Sequence, residues 1–395
     1  MNTEKSLPRL RLLFLVTEDW YFWTHRRSIA LAAQAKGFHV TIATHVQNHG
    51  ALIEQAGFKL IPIRLRRRSF NPIKELFVLA ELIAIYRRER PSIVHHVAIK
   101  PVLYGSWAAV LTGVNGIVNA LAGLGHVFVS HGWRASAFRW FMRLAFFSAF
   151  RSKRVRVIFQ NPEDQRIFVN AGVITPRKSV LIRGVGVDLE EFTFRPEPKG
   201  ISVVMLAGRL LWNKGVGELV KAGKMLISDD FICRIVLVGA PDPENPRSVS
   251  EITLRNWQRA GVAEWWGRRE DMPDVLEQAS LVVLPTTYGE GVPKILLEAA
   301  AIGRAIIATD IPGCREIVRH GENGLLIPPG NVSALAFAIT ELLKDPEQRA
   351  RMGKRGREIV EAEFSQEQVV AETFATYCEL LGERRQRSVR THAKS

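Results

Sequence analysis

Residues 281–300 read LVVLPTTYGEGVPKILLEAA, and their pattern decides the fold. Leu281 to Pro285 is an apolar run of strand length, Thr286 to Val292 is a turn with glycines at 289 and 291, and Pro293 opens a helix. A strand without polar alternation is covered on both faces, as in a parallel sheet packed between helices. The turn also has a chemical meaning. Unpaired backbone N–H groups and the positive end of the helix dipole face it, so a glycine-bearing turn at a helix start attracts an anion. Glu290 stands in that turn and Glu298 lies two turns into the helix. Two carboxylates in such a place suit sugar hydroxyls better than phosphate. The plainer reading makes Glu290 a partner of the helix dipole and Glu298 a solvated helical residue.

Outward from this unit the same alternation repeats. The preceding strand candidates are 10–16, 38–44, 58–63, 92–97, 116–121, 155–160, 201–207 and 233–239; 305–309 and 324–328 follow. Asn71-Pro72, Asn161-Pro162 and Asp345-Pro346 each put a capping side chain before a proline at the first helical position, and Ser365 with Gln368 has capping-box spacing. Two such series, separated by the Gly- and Pro-bearing segment 184–200, predict an α/β protein of two doubly wound domains facing across a cleft. The expected division is 1–190, 191–365, a C-terminal helix over 366–383 that crosses back to the first domain, and a disordered basic tail over 384–395. After the first strand of the second series comes Gly208-Arg209-Leu210-Leu211-Trp212-Asn213-Lys214-Gly215. Arg209 and Lys214 bracket that turn, and two cations between strand and helix suit a diphosphate, or are two exposed surface cations. Carboxyl ends of parallel strands share one edge, which brings this loop and the Glu290 turn to one crevice.

Other chemistries lose ground. Gly123-Leu124-Gly125 lacks the third glycine of a dinucleotide fingerprint, and neither a phosphate loop of the G-x-x-x-x-G-K-[ST] type nor a G-x-S-x-G elbow occurs. Cys233, Cys314 and Cys378 are spread singly, which removes a disulfide framework and a thiolate zinc site and points to a reducing compartment. No span approaches the ~18 consecutive apolar residues of a membrane helix. Charge is one-sided: residues 1–199 carry 29 Lys+Arg against 13 Asp+Glu, whereas residues 200–395 carry 25 against 26. No carboxylate lies between Glu89 and Glu163, and Arg64, Arg66, Arg67 and Arg68 form a further basic cluster. In Trp133 to Phe150, Trp133, Phe138, Trp140, Phe141, Leu144, Phe147 and Phe150 are threaded among arginines. That pattern fits a basic helix at an anionic headgroup layer or a core helix with a basic outer face; no nucleic-acid signature accompanies it.

These residues together resemble the retaining glycosyltransferases of family 4, which have the two-domain GT-B fold, over nearly the whole chain. The likeness rests on the E-x7-E motif at Glu290 and Glu298, A-G-R-x4-K-G at 207–215, the run Thr309 to Val318, and Asn323 to Gly330. Phe159-Gln160-Asn161 and Gly186-Val187-Asp188 with Phe192 add to it. Asp19-Trp20-Tyr21-Phe22 with His25-Arg26, and Gly123-Leu124-Gly125 with Val127-Phe128, are similar to bacterial capsule, O-antigen and N-glycan transferases acting on polyprenyl-diphosphate-linked sugars. The resemblance implies that Arg209 and Lys214 hold the diphosphate of a nucleotide sugar donor, most simply a UDP-sugar. It gives Glu290 the hydroxyls of the transferred sugar and Glu298 the ribose. Gly208, Gly291 and Val292 offer backbone to phosphate and sugar, and Arg268 lines the nucleobase. No cofactor and no metal ion is implied, and no nucleic acid. The implied place is the cytoplasmic side, peripheral on the inner face of the bacterial membrane.

The chain departs from the family at one point. Where many members carry a histidine near the reacting carbon, it has Ala122. His131 is then the weaker candidate beside the acceptor, with Lys100 as a cation for the acceptor's diphosphate; His95 and His96 end a strand and read as structural. Two further readings keep the fold: a soluble acceptor, or a non-catalytic membrane- or nucleic-acid-binding module.

Overall fold

The structure, a computed structural model, describes residues 10–67, 71–121, 123, 133–229 and 231–392, with the backbone alone at 133–137 and 383–392. It divides into two units. The first comprises Met1–Ala122, Val127–Ile182 and Val369–Ser395, the second Gly123–His126 and Arg183–Gln368. The first unit runs β1 (Arg11–Glu18), α1 (Asp19–His25), α2 (Arg27–Ala35), β2 (His39–His45), α3 (Gly50–Gln55), β3 (Lys59–Pro62), α4 (Pro72–Glu89), β4 (Ile93–Val97), α5 (Ile99–Thr112), β5 (Gly116–Leu121), α6 (Trp133–Phe150), β6 (Val155–Phe159), α7 (Pro162–Asn170) and β7 (Ser179–Leu181). The second runs β8 (Val203–Ala207), α8 (Val216–Ser228), β9 (Arg234–Val238), α9 (Glu251–Arg259), β10 (Glu264–Trp265), α10 (Met272–Glu277), β11 (Leu281–Leu284), α11 (Lys294–Ala301), β12 (Ala305–Thr309), α12 (Pro312–Arg315), β13 (Gly324–Ile327), α13 (Val332–Lys344) and α14 (Pro346–Glu363). Helix α15 (Gln366–His392) closes the chain. Its helical backbone reaches His392, so residues 384–392 of the segment expected to be a disordered tail continue the helix instead.

Both sheets are parallel throughout and share one winding. The first has seven strands among the described residues, in the order β3-β2-β1-β4-β5-β6-β7; the second has six, β10-β9-β8-β11-β12-β13. Each series starts in the middle, winds outward, and then reverses, which puts a switch point between β1 and β4 and another between β8 and β11. The apolar strands explain the layering, since β4, β5, β6, β8, β11 and β12 are buried from end to end and need helices on both faces. In the first unit α1, α2, α3 and α15 contribute Phe22, Ile29, Ile53, Phe374 and Tyr377 to one core. In the second, α11 and α14 cover one face and α8 and α13 the other. The capping side chains expected from sequence are in place: Asn71 accepts from the N–H of Ile73 at 3.0 Å, Asn161 from Asp164 at 2.8 Å and Asp345 from Gln348 at 2.8 Å.

Buried cations fasten the outer elements. Arg156 on β6 meets Glu379 of α15 at 2.6 Å within the first unit. In the second, the Arg304 guanidinium donates to the carbonyls of Arg195, Pro196, Leu276 and Glu277 at 2.8–3.2 Å, and Arg349 grips Glu197 at 2.7 Å. Burial lowers Arg304 to about 10, which still leaves it charged at neutral pH. His95 and His96 are core side chains. The His95 ring stacks on Phe14 with centroids 5.0 Å apart and its Nδ1 lies 2.6 Å from the Tyr377 hydroxyl. His96 meets the Tyr86 hydroxyl at 2.9 Å through Nε2 and Asn119 Oδ1 at 2.7 Å through Nδ1.

Burial disfavours the charged imidazole, placing His95 well below its usual range and His96 at about 4. A group whose pKa falls on folding contributes stability that is complete above its unfolded value, about 6.5, and drains as pH falls toward the folded one. His96 alone is therefore expected to cost about 2–3 kcal/mol between pH 7.5 and 4.5. Urea unfolding at several pH values checks this: His96→Gln flattens the slope, and an unchanged slope refutes the burial argument.

Candidate active site in the second unit

The site forms where the strand-to-helix turns of the second sheet meet along its carboxyl edge. Strand β8 ends at Ala207, and the chain passes through Gly208 to Leu211 and a 3-10 turn, Trp212–Lys214, before Gly215 starts α8. Strand β11 ends at Leu284, and Pro285 to Pro293 leads into α11. These turns flank the switch point between β8 and β11. They are stitched at one atom: the carbonyl of Asn213 accepts from the Thr286 hydroxyl at 2.9 Å and from the Thr287 N–H at 3.0 Å. Gly215 makes the approach possible. Its φ is +82°, and a Cβ there would lie 2.2 Å from the Pro285 carbonyl oxygen.

The contact continues to either side. The N–H of Gly239, after β9, donates to the carbonyl of Gly267, after β10, at 2.7 Å, and a Cβ on Gly239 would strike the Gly208 carbonyl at 1.9 Å. On the far side Gly313 of α12 lies against the Glu290–Gly291 backbone, where a Cβ would stand 1.6 Å from the Gly291 oxygen. Gly123, which belongs to this unit, packs on the same peptide; a Cβ there would be 2.6 Å from the Gly291 nitrogen.

On this framework the side chains fall into three pairs. Lys214 and Glu290 form an ion pair, both largely enclosed, with the Thr286 hydroxyl 3.4 Å from Glu290 Oε1. The two turns thus meet through charged side chains as well as backbone. Arg209 pairs with Asp242 in the loop after β9, at 3.4 Å. Glu298 is buried and paired with Lys294 one turn before it on α11. Gly291 and Val292 are both buried, and Glu290 is the least enclosed residue of the Glu290-Gly291-Val292 run. Arg268 is half exposed beside Glu270 at 3.3 Å. Cys314 on α12 is buried near Glu290, and burial first, then that carboxylate, raise its thiol. A protonated thiol is a poor nucleophile.

Sequence reasoning named Glu290, Lys214, Arg209, Glu298, Gly208, Gly291, Val292 and Arg268, and the structure places all of them on this edge or the helix it feeds. It gave no role to Asn213, Asp242, Thr286 or Lys294. Lys294 had a signal, its i,i+4 spacing to Glu298; Asp242, 33 residues from Arg209, had none. In the first unit, the Lys100 ammonium bonds Glu75 at 2.8 Å and the Arg66 carbonyl at 3.0 Å, which makes it a strut between α5 and α4. Ala122, His126 and His131 lie outside the described residues.

Comparison with known proteins supplies the context. The family described as "Glycosyl transferases group 1" matches residues 201–345 and "Glycosyl transferase 4-like" matches residues 11–161, together well over half of the chain. The N,N'-diacetylbacillosaminyl-diphospho-undecaprenol alpha-1,3-N-acetylgalactosaminyltransferase of Campylobacter jejuni is 27% identical over 361 residues, 87% of this chain and 92% of that one. The UDP-Gal:alpha-D-GlcNAc-diphosphoundecaprenol alpha-1,3-galactosyltransferase of Escherichia coli is 26% identical over 291 residues, 70% of this chain and 73% of that one. Among solved structures, sucrose-phosphate synthase from Thermosynechococcus elongatus matches with a TM-score of 0.76 at 21% identity, over 95% of this chain and all of that one. Anabaena HepE in complex with UDP and glucose has the same TM-score at 19% identity, over 94% of this chain and all of its own. The fold is therefore GT-B.

The stitch can be tested without substrate. Gly215 and Gly321 have nearly the same φ, +82° and +81°, but only Gly215 faces a backbone atom; nothing lies within 4 Å of a Cβ on Gly321. Gly215→Ala is expected to destabilise the protein by about 1–3 kcal/mol more than Gly321→Ala, the cost of overpacking added to a shared backbone strain. Equal denaturation midpoints for the two variants would show that the turns are not in contact.

Proposed function

The chain belongs to the family 4 glycosyltransferases, and on that premise we propose that it moves a hexose or N-acetylhexosamine from a nucleotide diphosphate sugar, a UDP-sugar first of all, to a saccharide carried on a polyprenyl diphosphate. The observation that carries the reading is the Lys214–Glu290 pair at the junction of two turns beside the start of α11. A cation that neutralises a leaving diphosphate and a carboxylate that accepts from sugar hydroxyls must stand within one sugar-phosphate length of each other, and here they touch. The acceptor class is supported by the Campylobacter and Escherichia relatives, both named for diphospho-undecaprenol-linked acceptors. The nucleobase reading is supported by HepE, solved with UDP.

In this reading Lys214, with Arg209 from the same turn, takes the donor diphosphate, and the backbone at Gly208, which is exposed, and at Gly291 is offered to phosphate and sugar. Glu290 holds the transferred sugar and orders the Lys214 ammonium, while Glu298, held by Lys294, takes the ribose and Arg268 borders the base. The acceptor hydroxyl attacks the anomeric carbon from the side the diphosphate leaves. The C–O bond to phosphate breaks, the new glycosidic bond forms with retained configuration, and the hydroxyl proton passes to the departing phosphate oxygen. Stabilisation of negative charge on that leaving group is the main catalytic contribution, and neither a metal ion nor a cofactor enters the scheme. The basic first unit serves the lipid-linked acceptor on the cytoplasmic face of an anionic membrane.

One positioned cation on a developing oxyanion is worth about 3–4 kcal/mol. Lys214→Ala is accordingly expected to lower turnover by roughly two to three orders of magnitude. The measurement is steady-state kinetics with the donor found by screening a panel of nucleotide sugars, and proton NMR of the product reads the anomeric configuration. Turnover near that of the unaltered protein would remove the diphosphate role, and an inverted product would remove the front-face scheme.

A further inference from the structure

We infer that the outer face of the α4–α5–α6 layer in the first unit is the surface that seats the enzyme on an anionic bilayer; the inference rests on the lipid-linked acceptor proposed above and names the seat. A helix that covers a soluble domain shows one apolar stripe and a polar back, yet α4 has two apolar stripes. Val78, Leu82, Ile85 and Tyr86 are buried inward. On the opposite side Ile73, Leu76 and Phe77 are 68%, 68% and 66% exposed, continued by exposed Ala80 and Ala84 at the same i, i+3, i+4 spacing. The rotation is fixed: Glu75, turned away from the outer stripe, is held by Lys100 of α5 at 2.8 Å.

The same inversion appears on the neighbouring helices. On α6, Met142, Ala145, Phe146, Ala149 and Phe150 are buried, while Trp140 and Phe141 stand 65% and 61% exposed and Leu144 and Phe147 about half exposed on the other side. Between them, α5 exposes Val110 and Leu111, and its Trp107 is tied to Ser148 of α6 at 3.0 Å. Three adjacent helices of one layer thus present aromatic and aliphatic side chains away from their own core.

Charge selects the occupant. The helices of the layer and the segments next to them in sequence carry exposed Arg66, Lys74, Arg143, Arg151, Lys153 and Arg154. Neither α5 nor α6 contains a carboxylate, and on α4 Glu75 and Glu89 are paired with cations while Glu81 accepts from the Arg64 N–H at 3.1 Å. Exposed apolar side chains accompanied by cations, with acids absent or engaged, suit entry into the headgroup layer and attraction to lipid phosphates. No helix among the described residues is long and apolar enough to cross a membrane, so the layer lies in the interface.

The experiment uses the full chain and two triple variants, Ile73→Ser with Leu76→Ser and Phe77→Ser, and Trp140→Ser with Phe141→Ser and Leu144→Ser. Co-sedimentation is measured with phosphatidylglycerol–phosphatidylethanolamine vesicles and with phosphatidylcholine vesicles. The unaltered protein is expected to bind the anionic vesicles preferentially, and each triple variant to bind roughly tenfold less or weaker still. Thermal midpoints should stay unchanged, because all six side chains are exposed. Transfer to a short-chain prenyl-diphosphate acceptor in detergent is expected to survive in both variants. Full binding by the α4 variant overturns the seat, as does a dimer that either variant converts to monomer, since the face would then bind protein. Absence of transfer in the unaltered protein, with vesicle binding intact, overturns the acceptor reading and leaves the lipid seat standing.

Discussion

The carbonyl oxygen of Asn213, bonded at once by Thr286 and Thr287, turns two independent strand-to-helix turns into one surface. Parallel winding brings the carboxyl ends of β8 and β11 side by side at the switch point, but adjacency alone leaves a gap that side chains would fill. Glycine closes it. Where Cβ atoms are missing at 215, 239 and 313, backbone packs on backbone, and the polar side chains of the turns are free to project. The ion pair between Lys214 and Glu290 follows from that closure, because residues 76 positions apart in sequence are placed at contact by main-chain geometry.

Much of the fold was legible in the sequence because buried parallel strands carry a plain apolar signal. The predicted run 305–309 is β12 itself and 281–285 differs from β11 by one residue; the proline caps at 72, 162 and 346 also stand where expected. What escaped had a physical reason. Strand β7 is three residues long and follows a 3-10 turn, too short for any pattern to register. Ile201 reads as the start of a strand but is 60% exposed, and the ladder begins at Val203. Glu298 was open to a solvated reading because an i,i+4 partner looks alike on a surface and in a buried place; its burial removes the solvated one. The aromatics of α6 stood out among arginines, whereas the outer stripe of α4 did not, since a helix apolar on both sides gives no direction from sequence alone.

The positive surplus has a structural meaning once the buried cations are set aside. Arg156, Arg304 and Arg349 are all satisfied by carboxylates or carbonyls within their own units, which offsets the cost of taking those charges out of water. The excess that makes residues 1–199 basic lies instead on the surface, around helices whose outward side chains are apolar. The second unit, with 23 Lys+Arg against 27 Asp+Glu over residues 183–368, has ion pairs both on its outer helices and, at Lys214–Glu290 and Arg209–Asp242, on the carboxyl edge of its sheet.

Cys314 adds a chemical consequence. It stands close behind the Glu290 turn, sealed from solvent, with its thiol kept protonated by burial and by a neighbouring negative charge. Such a sulfur reacts slowly with alkylating reagents and with peroxide. Modification of this thiol, unlike that of the exposed Cys378, has to follow an opening around α12, so labelling kinetics at this position serve as a built-in gauge of how often that edge breathes.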